Sequence, residues 1–117
     1  MEIVRARGTA LGRNAGTRFG QLGWAVAAET GGATDIAGQT RATLAELDRV
    51  LAELGTDKTK MLNATVYIAS IDRKAEMDAV WNAWIGDDPQ HWPQRACVES
   101  AVGGGCLVEI VVVAVCP

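Results

Sequence analysis

The chain has 117 residues, of which 49% are hydrophobic and 21% charged, with a formal net charge of −3. This length fits one domain spanning residues 1–117, because two halves would each be short of a core, and the composition excludes a disordered chain. The eleven basic residues are scattered rather than gathered into a stripe with stacking aromatics, so no nucleic-acid partner is expected.

The longest apolar stretch, residues 107–117, is interrupted by Glu109 and is too short to cross a bilayer as a helix. The N-terminal MEIVRARG has no apolar segment of the kind a signal peptide needs. Cys97, Cys106 and Cys116 are an odd number without CxxC spacing, which fits free thiols in a reducing, cytoplasmic setting. His91 is the only histidine, so a His-rich metal site is excluded. No metal-ligand spacing is evident, and no metal or organic cofactor is expected.

In chain order, the first residues predict a short strand around Ile3. Glycines 12, 16, 20 and 23 punctuate extended segments at residues 17–21 and 23–28, read as a bent strand, before Gly31 and Gly32 force a turn. Thr34 or Asp35 can cap a long helix whose stripe is Ile36, Thr40, Leu44, Leu47, Leu51 and Leu54, with Gly55 as its stop. Residues 61–69 alternate as a strand, with Leu62, Ala64, Val66 and Ile68 on one face and Met61, Asn63, Thr65 and Tyr67 on the other. Asp72 can cap a second helix reaching about Trp84, with Met77, Val80, Trp81 and Trp84 at helical spacing and Pro89 beyond its end. Two strands close the chain, at residues 95–100 and 107–116, joined by a glycine-rich connection that suits a hairpin or a wider turn.

This strand–helix–strand alternation predicts an α+β fold in which two helices cover one face of a mixed sheet. The other face keeps valines such as Val98, Val111 and Val113 and has no third layer to cover it, so an oligomer is expected.

Two residues stand out as candidates for chemistry. Arg95 opens a strand and carries a planar guanidinium able to hold a carboxylate through paired hydrogen bonds; a structural pair with Glu109 is the alternative. Glu109 lies inside LVEIVVVAV, where a carboxylate is expected to be paired, proton-exchanging or turned to solvent. If the last two strands were antiparallel neighbours, their short connection would bring both residues together. Cys97 shares the strand face of Arg95 and suits a pocket lining better than a nucleophile.

FGQLG at residues 19–23, QTRATLAELDRVLAELG, NATVYIASIDRKAEMDAVWNAW, PQRACVE at residues 93–99 and LVEIVVVA together resemble the RidA family, also called YjgF/YER057c/UK114, of reactive-intermediate deaminases. The resemblance implies a chorismate-mutase-like fold, a homotrimer with clefts between subunits, and hydrolysis of reactive enamines or imines to keto acids and ammonia without a cofactor. It also implies that Arg95 holds the substrate carboxylate, that Glu109 serves the attacking water, and that Cys97 lines the pocket. Phe19 and Asp78 fall at substrate-pocket positions where the resemblance expects serine and asparagine, giving a bulkier and more acidic pocket. A non-catalytic module that binds small carboxylates or protects proteins is the alternative within the same fold.

Overall fold

The computed structural model describes residues 1–117. Six strands, β1 (Ile3–Ala6), β2 (Gly16–Phe19), β3 (Leu22–Ala27), β4 (Met61–Ile68), β5 (Gln94–Glu99) and β6 (Val108–Val115), form one sheet in the order β1-β2-β3-β6-β4-β5. Helices α1 (Ile36–Glu53) and α2 (Lys74–Ile85) supply the two crossovers, from β3 to β4 and from β4 to β5. The architecture is the expected mixed α+β layer, with β4 and β5 parallel and the remaining neighbours antiparallel.

The last strand does not pair with the one before it. β6 inserts between β3 and β4, and β5 lies beyond β4 at the edge. The glycine-rich connection is therefore a passage across the end of β4 rather than a hairpin. Parallel pairing of β4 with β5 follows from the α2 crossover, which returns the chain in the same direction. The gap left between β3 and β4 by the α1 crossover is the slot that β6 fills in the opposite sense.

Residues 17–28 form a hairpin and not a bent strand. Phe19 pairs with Leu22 across a tight turn at Gly20 and Gln21, and Gly20 has φ +64°. Asp35 stands at the N-terminus of α1, yet its side chain makes no capping hydrogen bond. Asp72 falls in a 3-10 turn at Ile71–Arg73 that precedes α2, so it does not cap that helix either. The core is the helix-facing side of the sheet, where Ala64, Val66, Ile68, Val108, Ile110, Val112 and Ala114 meet Leu44, Leu47, Leu51 and Met77.

Gly16 lets α1 approach closely, and Gly23 leaves room for the Cys116 side chain after β6. A Cβ at Gly16 would come within 2.6 Å of Val50, and one at Gly23 within 2.8 Å of the Cys116 sulfur. Arg18 ties the hairpin to the end of α1 by donating to the Leu54 carbonyl at 3.0 Å, and it also donates to the Gly20 carbonyl of its own turn at 3.0 Å.

Strand β4 departs from simple alternation at one place. The register with β6 slips between Met61 and Asn63, so Leu62 is the extra residue of a bulge and is half exposed, while Met61 turns into the core. Leu62 thus leaves the face that alternation assigns to it. Ile68→Ala should lower unfolding stability by about 2–5 kcal/mol, while Leu62→Ala should cost less than about 1 kcal/mol, both measured by denaturant titration. Equal costs would contradict the bulge.

Candidate functional site

Residues directly opposite one another in a sheet share a face, so the registers fix which side each candidate occupies. Arg95 pairs with Ala64, which pairs with Val112, and both of those lie in the core under the helices. Arg95 therefore projects toward α2. Glu109 pairs with Tyr67, which pairs with Val98, on the opposite face. Within one chain the sheet separates Arg95 from Glu109, and the two form no ion pair with each other.

Around Arg95 the edge strand and α2 build a compact polar cluster. Its Nη2 donates to Asp78 Oδ1 at 2.5 Å and its Nη1 to the Met77 sulfur at 3.8 Å, while the guanidinium stacks over Trp81 with its carbon 5.1 Å from the ring centre. Asp78 uses its other oxygen to accept from Lys74 Nζ at 2.6 Å, one helical turn earlier. The Arg95 side chain retains 18% of its exposure and that of Asp78 retains 25%, so the pair is half-sheltered but reachable. Arg95 thereby keeps Nε–H and a second hydrogen on each terminal nitrogen without a partner in this chain.

Burial alone would raise the Asp78 pKa, but the hydrogen bonds and charges of Lys74 and Arg95 outweigh it and hold the carboxyl below the usual carboxylate range. Cys97 is two residues along β5 on the same face as Arg95 and is half-buried. Burial pushes its thiol up, with partial opposition from the charges of Arg95 and Lys74, so its surroundings do not favour the reactive thiolate.

Glu109 opens onto a different space. A cleft of about 500 Å³ is lined by Glu109 together with Arg7, Arg13 and Asn14 of the β1–β2 connection, Ala28 and Glu29 after β3, and Glu46 and Arg49 of α1. Arg49 is bound to Glu46 and Glu53 and donates to the Arg7 carbonyl at 3.0 Å, which fixes that wall. No group of three or more His, Cys, Asp and Glu side chains converges as a metal-ligand set.

Of the residues singled out in the sequence, the structure brings together Arg95, Asp78 and Cys97. It places Glu109 on the far face and Phe19 at the tip of the β2–β3 hairpin, which the sheet order separates from β5 by β3, β6 and β4. Phe19 is exposed and does not reach the Arg95 cluster within the chain. Lys74, Met77 and Trp81 were not recognised as neighbours of Arg95. Met77 and Asp78 each lie three or four residues from both Lys74 and Trp81, which puts the group on one side of the helix, but only the β4–β5 register shows that this side meets Arg95.

The arrangement defines a two-layer α+β protein with a half-sheltered arginine held between the edge strand and α2 and an apolar sheet face left open. The chain belongs to the RidA, or YjgF/YER057c/UK114, family, whose model, described as Endoribonuclease L-PSP, matches residues 17–116. A RutC family protein of Haemophilus ducreyi is 39% identical over 77 residues, a match covering 65% of this chain and 64% of that relative, so the chain matches somewhat under two thirds of the relative's length. A YjgF-family protein of Neisseria meningitidis has a similar structure with TM-score 0.90 at 34% identity, covering 100% of this chain and 97% of the other. A Rid-family protein of Yersinia pestis aligns with TM-score 0.83 at 28% identity, over 95% of this chain and 93% of its own. No helix is long and apolar enough to cross a membrane.

The Asp78 linkage has a definite pH signature. Its folded pKa lies below the unfolded value of about 3.9, so the Lys74–Asp78–Arg95 contribution is complete above that value and disappears as pH falls through the lowered folded pKa. Asp78→Asn should be less stable than wild type at pH 7, and the gap should close below about pH 4 in acid-denaturation profiles. A gap unchanged from pH 7 to pH 2 would contradict this assignment.

Proposed function

We propose that the protein hydrolyses small carboxylated imines and enamines to keto acids and ammonia, in a site completed by a neighbouring copy of the chain. The observation that carries this reading is Arg95, half-sheltered against Trp81 and still holding unused N–H groups on an accessible edge. Family membership supports the reaction class.

Completion by a neighbour follows from the faces. Arg95 and Glu109 cannot serve one substrate from a single sheet, so Glu109 comes from an adjacent protomer. The open face supports assembly, since Ile3, Phe19, Leu22, Trp24 and Val98 are exposed there beside the half-buried Val111 and Val113. Burying each 100 Å² of it contributes roughly 2.5 kcal/mol before association costs. The trimer of the family is the assembly proposed.

The chemistry requires only binding, orientation and proton movement. An enamine tautomerises to its imine, and Arg95 holds the carboxylate so that the C=N carbon faces the water. Water adds to that carbon as the C=N π electrons move to nitrogen, and Glu109 accepts the water's proton. Because the imine enters protonated on nitrogen, addition leaves a neutral carbinolamine; Glu109 returns its proton to that nitrogen, and the C–N bond then breaks to release ammonia while the O–H electrons form the carbonyl and the hydroxyl proton passes to Glu109 and on to solvent. Cys97 shapes the wall beside the carboxylate.

The Asp78–Arg95 pair also favours a second reading, a carboxylate-binding module without turnover, because the arginine is already charge-paired. Loss of 2-iminopropanoate generated in situ separates the two. Wild type should accelerate it, Glu109→Gln should lower kcat/KM by about 10²-fold, and Arg95→Ala should raise KM and lower kcat/KM by at least about tenfold. A folded, assembled wild type that leaves the spontaneous rate unchanged across several imino acids would overturn the deaminase reading.

A further inference from the structure

We infer that Arg7 and Arg13, on the connection between β1 and β2, form a second anion subsite in the cleft that carries Glu109, so that the protein selects dicarboxylic over monocarboxylic imino acids. The inference rests on the proposed reaction, in which Arg95 of a neighbouring protomer holds the carboxylate beside the reacting carbon, and it names what the rest of the substrate carries.

Size is the first observation. The cleft holds about 500 Å³. A three-carbon imino acid, counted at about 30 Å³ per heavy atom, fills less than about half of such a space. Room therefore remains beyond the reacting carbon for a longer side chain. The rim of that space is also tied down. The Arg7 carbonyl accepts from Arg49 at 3.0 Å, and the Ala15 amide donates to the Ala6 carbonyl at 2.9 Å, which holds both ends of the connection. Gly12, with φ +83°, turns the chain just before Arg13.

Charge decides what the longer side chain carries. Arg49 gathers the acids of the α1 wall: it bonds Glu46 and Glu53, and Glu29 adds to the same field. Arg7 and Arg13 line the cleft, are exposed, and enter no ion pair with any of these acids. The remaining acid of the lining is Glu109, which the reaction keeps for the water. Arg7, Arg13 and Arg49 balance Glu29, Glu46 and Glu109, so the lining is neutral, with Glu53 outside it and half exposed. The Lys74–Asp78–Arg95 group of the neighbour adds one net positive charge. A monocarboxylic acid protonated on nitrogen leaves that charge unmatched, and a second carboxylate on the ligand cancels it. A guanidinium free of protein partners is the side chain best suited to take that carboxylate through paired hydrogen bonds.

The test is calorimetric titration of the assembled protein with 2-oxoglutarate and with 2-oxopentanoate, keto acids of equal chain length that differ in the terminal carboxylate. Wild type should bind 2-oxoglutarate at least about tenfold more tightly than 2-oxopentanoate. The double variant Arg7→Gln with Arg13→Gln should bring the two affinities to within about twofold, by weakening 2-oxoglutarate and leaving 2-oxopentanoate unchanged. Arg13→Gln alone should reduce the preference at least about threefold and serves if the double variant does not assemble. Equal affinities in wild type, an undiminished preference in the folded double variant, or no detectable binding of 2-oxoglutarate at millimolar concentration would overturn the inference. Binding heat needs no turnover. A protein that selects 2-oxoglutarate through these arginines but hydrolyses no imine retains this inference and loses the deaminase reading. One that hydrolyses 2-iminopropanoate but binds the two keto acids equally does the reverse.

Discussion

The alternation along β6 is the constraint on which the rest of the molecule depends. This strand lies third from one edge of the sheet and fourth from the other, paired on both sides, and every second residue from Val108 to Ala114 is buried beneath the helices. A slip of one residue would send four apolar side chains out of the core and drive Glu109 into it, at a desolvation penalty no neighbour offsets. Glu109 is thereby held on the face without helices. Because β6 is the last strand of the chain, the sheet remains split between β3 and β4 until it arrives.

The same insertion decides the chemistry. By occupying the centre, β6 leaves β5 at an edge, where Arg95 reaches a solvent-connected space instead of the middle of the core. Helix α2 then supplies what an arginine at that position needs: a ring to stack on, a sulfur and a carboxylate that offsets its charge. The fold thus produces two half-sites on opposite faces of one sheet. In the proposed function neither suffices alone, and the exposed apolar face lies on the Glu109 side.

Much of this was legible in the sequence because periodicity reports burial. The stripe from Ile36 to Leu54 marked α1, the Met77–Trp81 spacing marked α2, and the interruption of an apolar strand marked Glu109. What the sequence did not reveal was pairing. The short connection after β5 suggested that β5 and β6 were neighbours, but connection length limits only how far the chain can travel, and β4 fits between them. Leu62 was misplaced for a related reason: a bulge adds one residue without any change in composition, and alternation has no means of marking it. The FGQLG motif contains the turn of the β2–β3 hairpin, and only the register shows that Phe19 lies on the sheet face that carries Glu109. Asp78 was recognised as a departure from the family pattern, but its partners became visible only with the β4–β5 register.

The proposed division of the site between protomers is tested most directly by coexpressing Arg95→Ala and Glu109→Gln chains and assaying imine hydrolysis by the mixed assemblies. If each site takes Arg95 from one protomer and Glu109 from the next, random assortment restores both residues in roughly a quarter of the sites, and activity should rise well above that of either parent. Mixed assemblies as inactive as the two parents, while wild type remains active, would contradict the placement of Arg95 and Glu109 on opposite sides of a shared cleft.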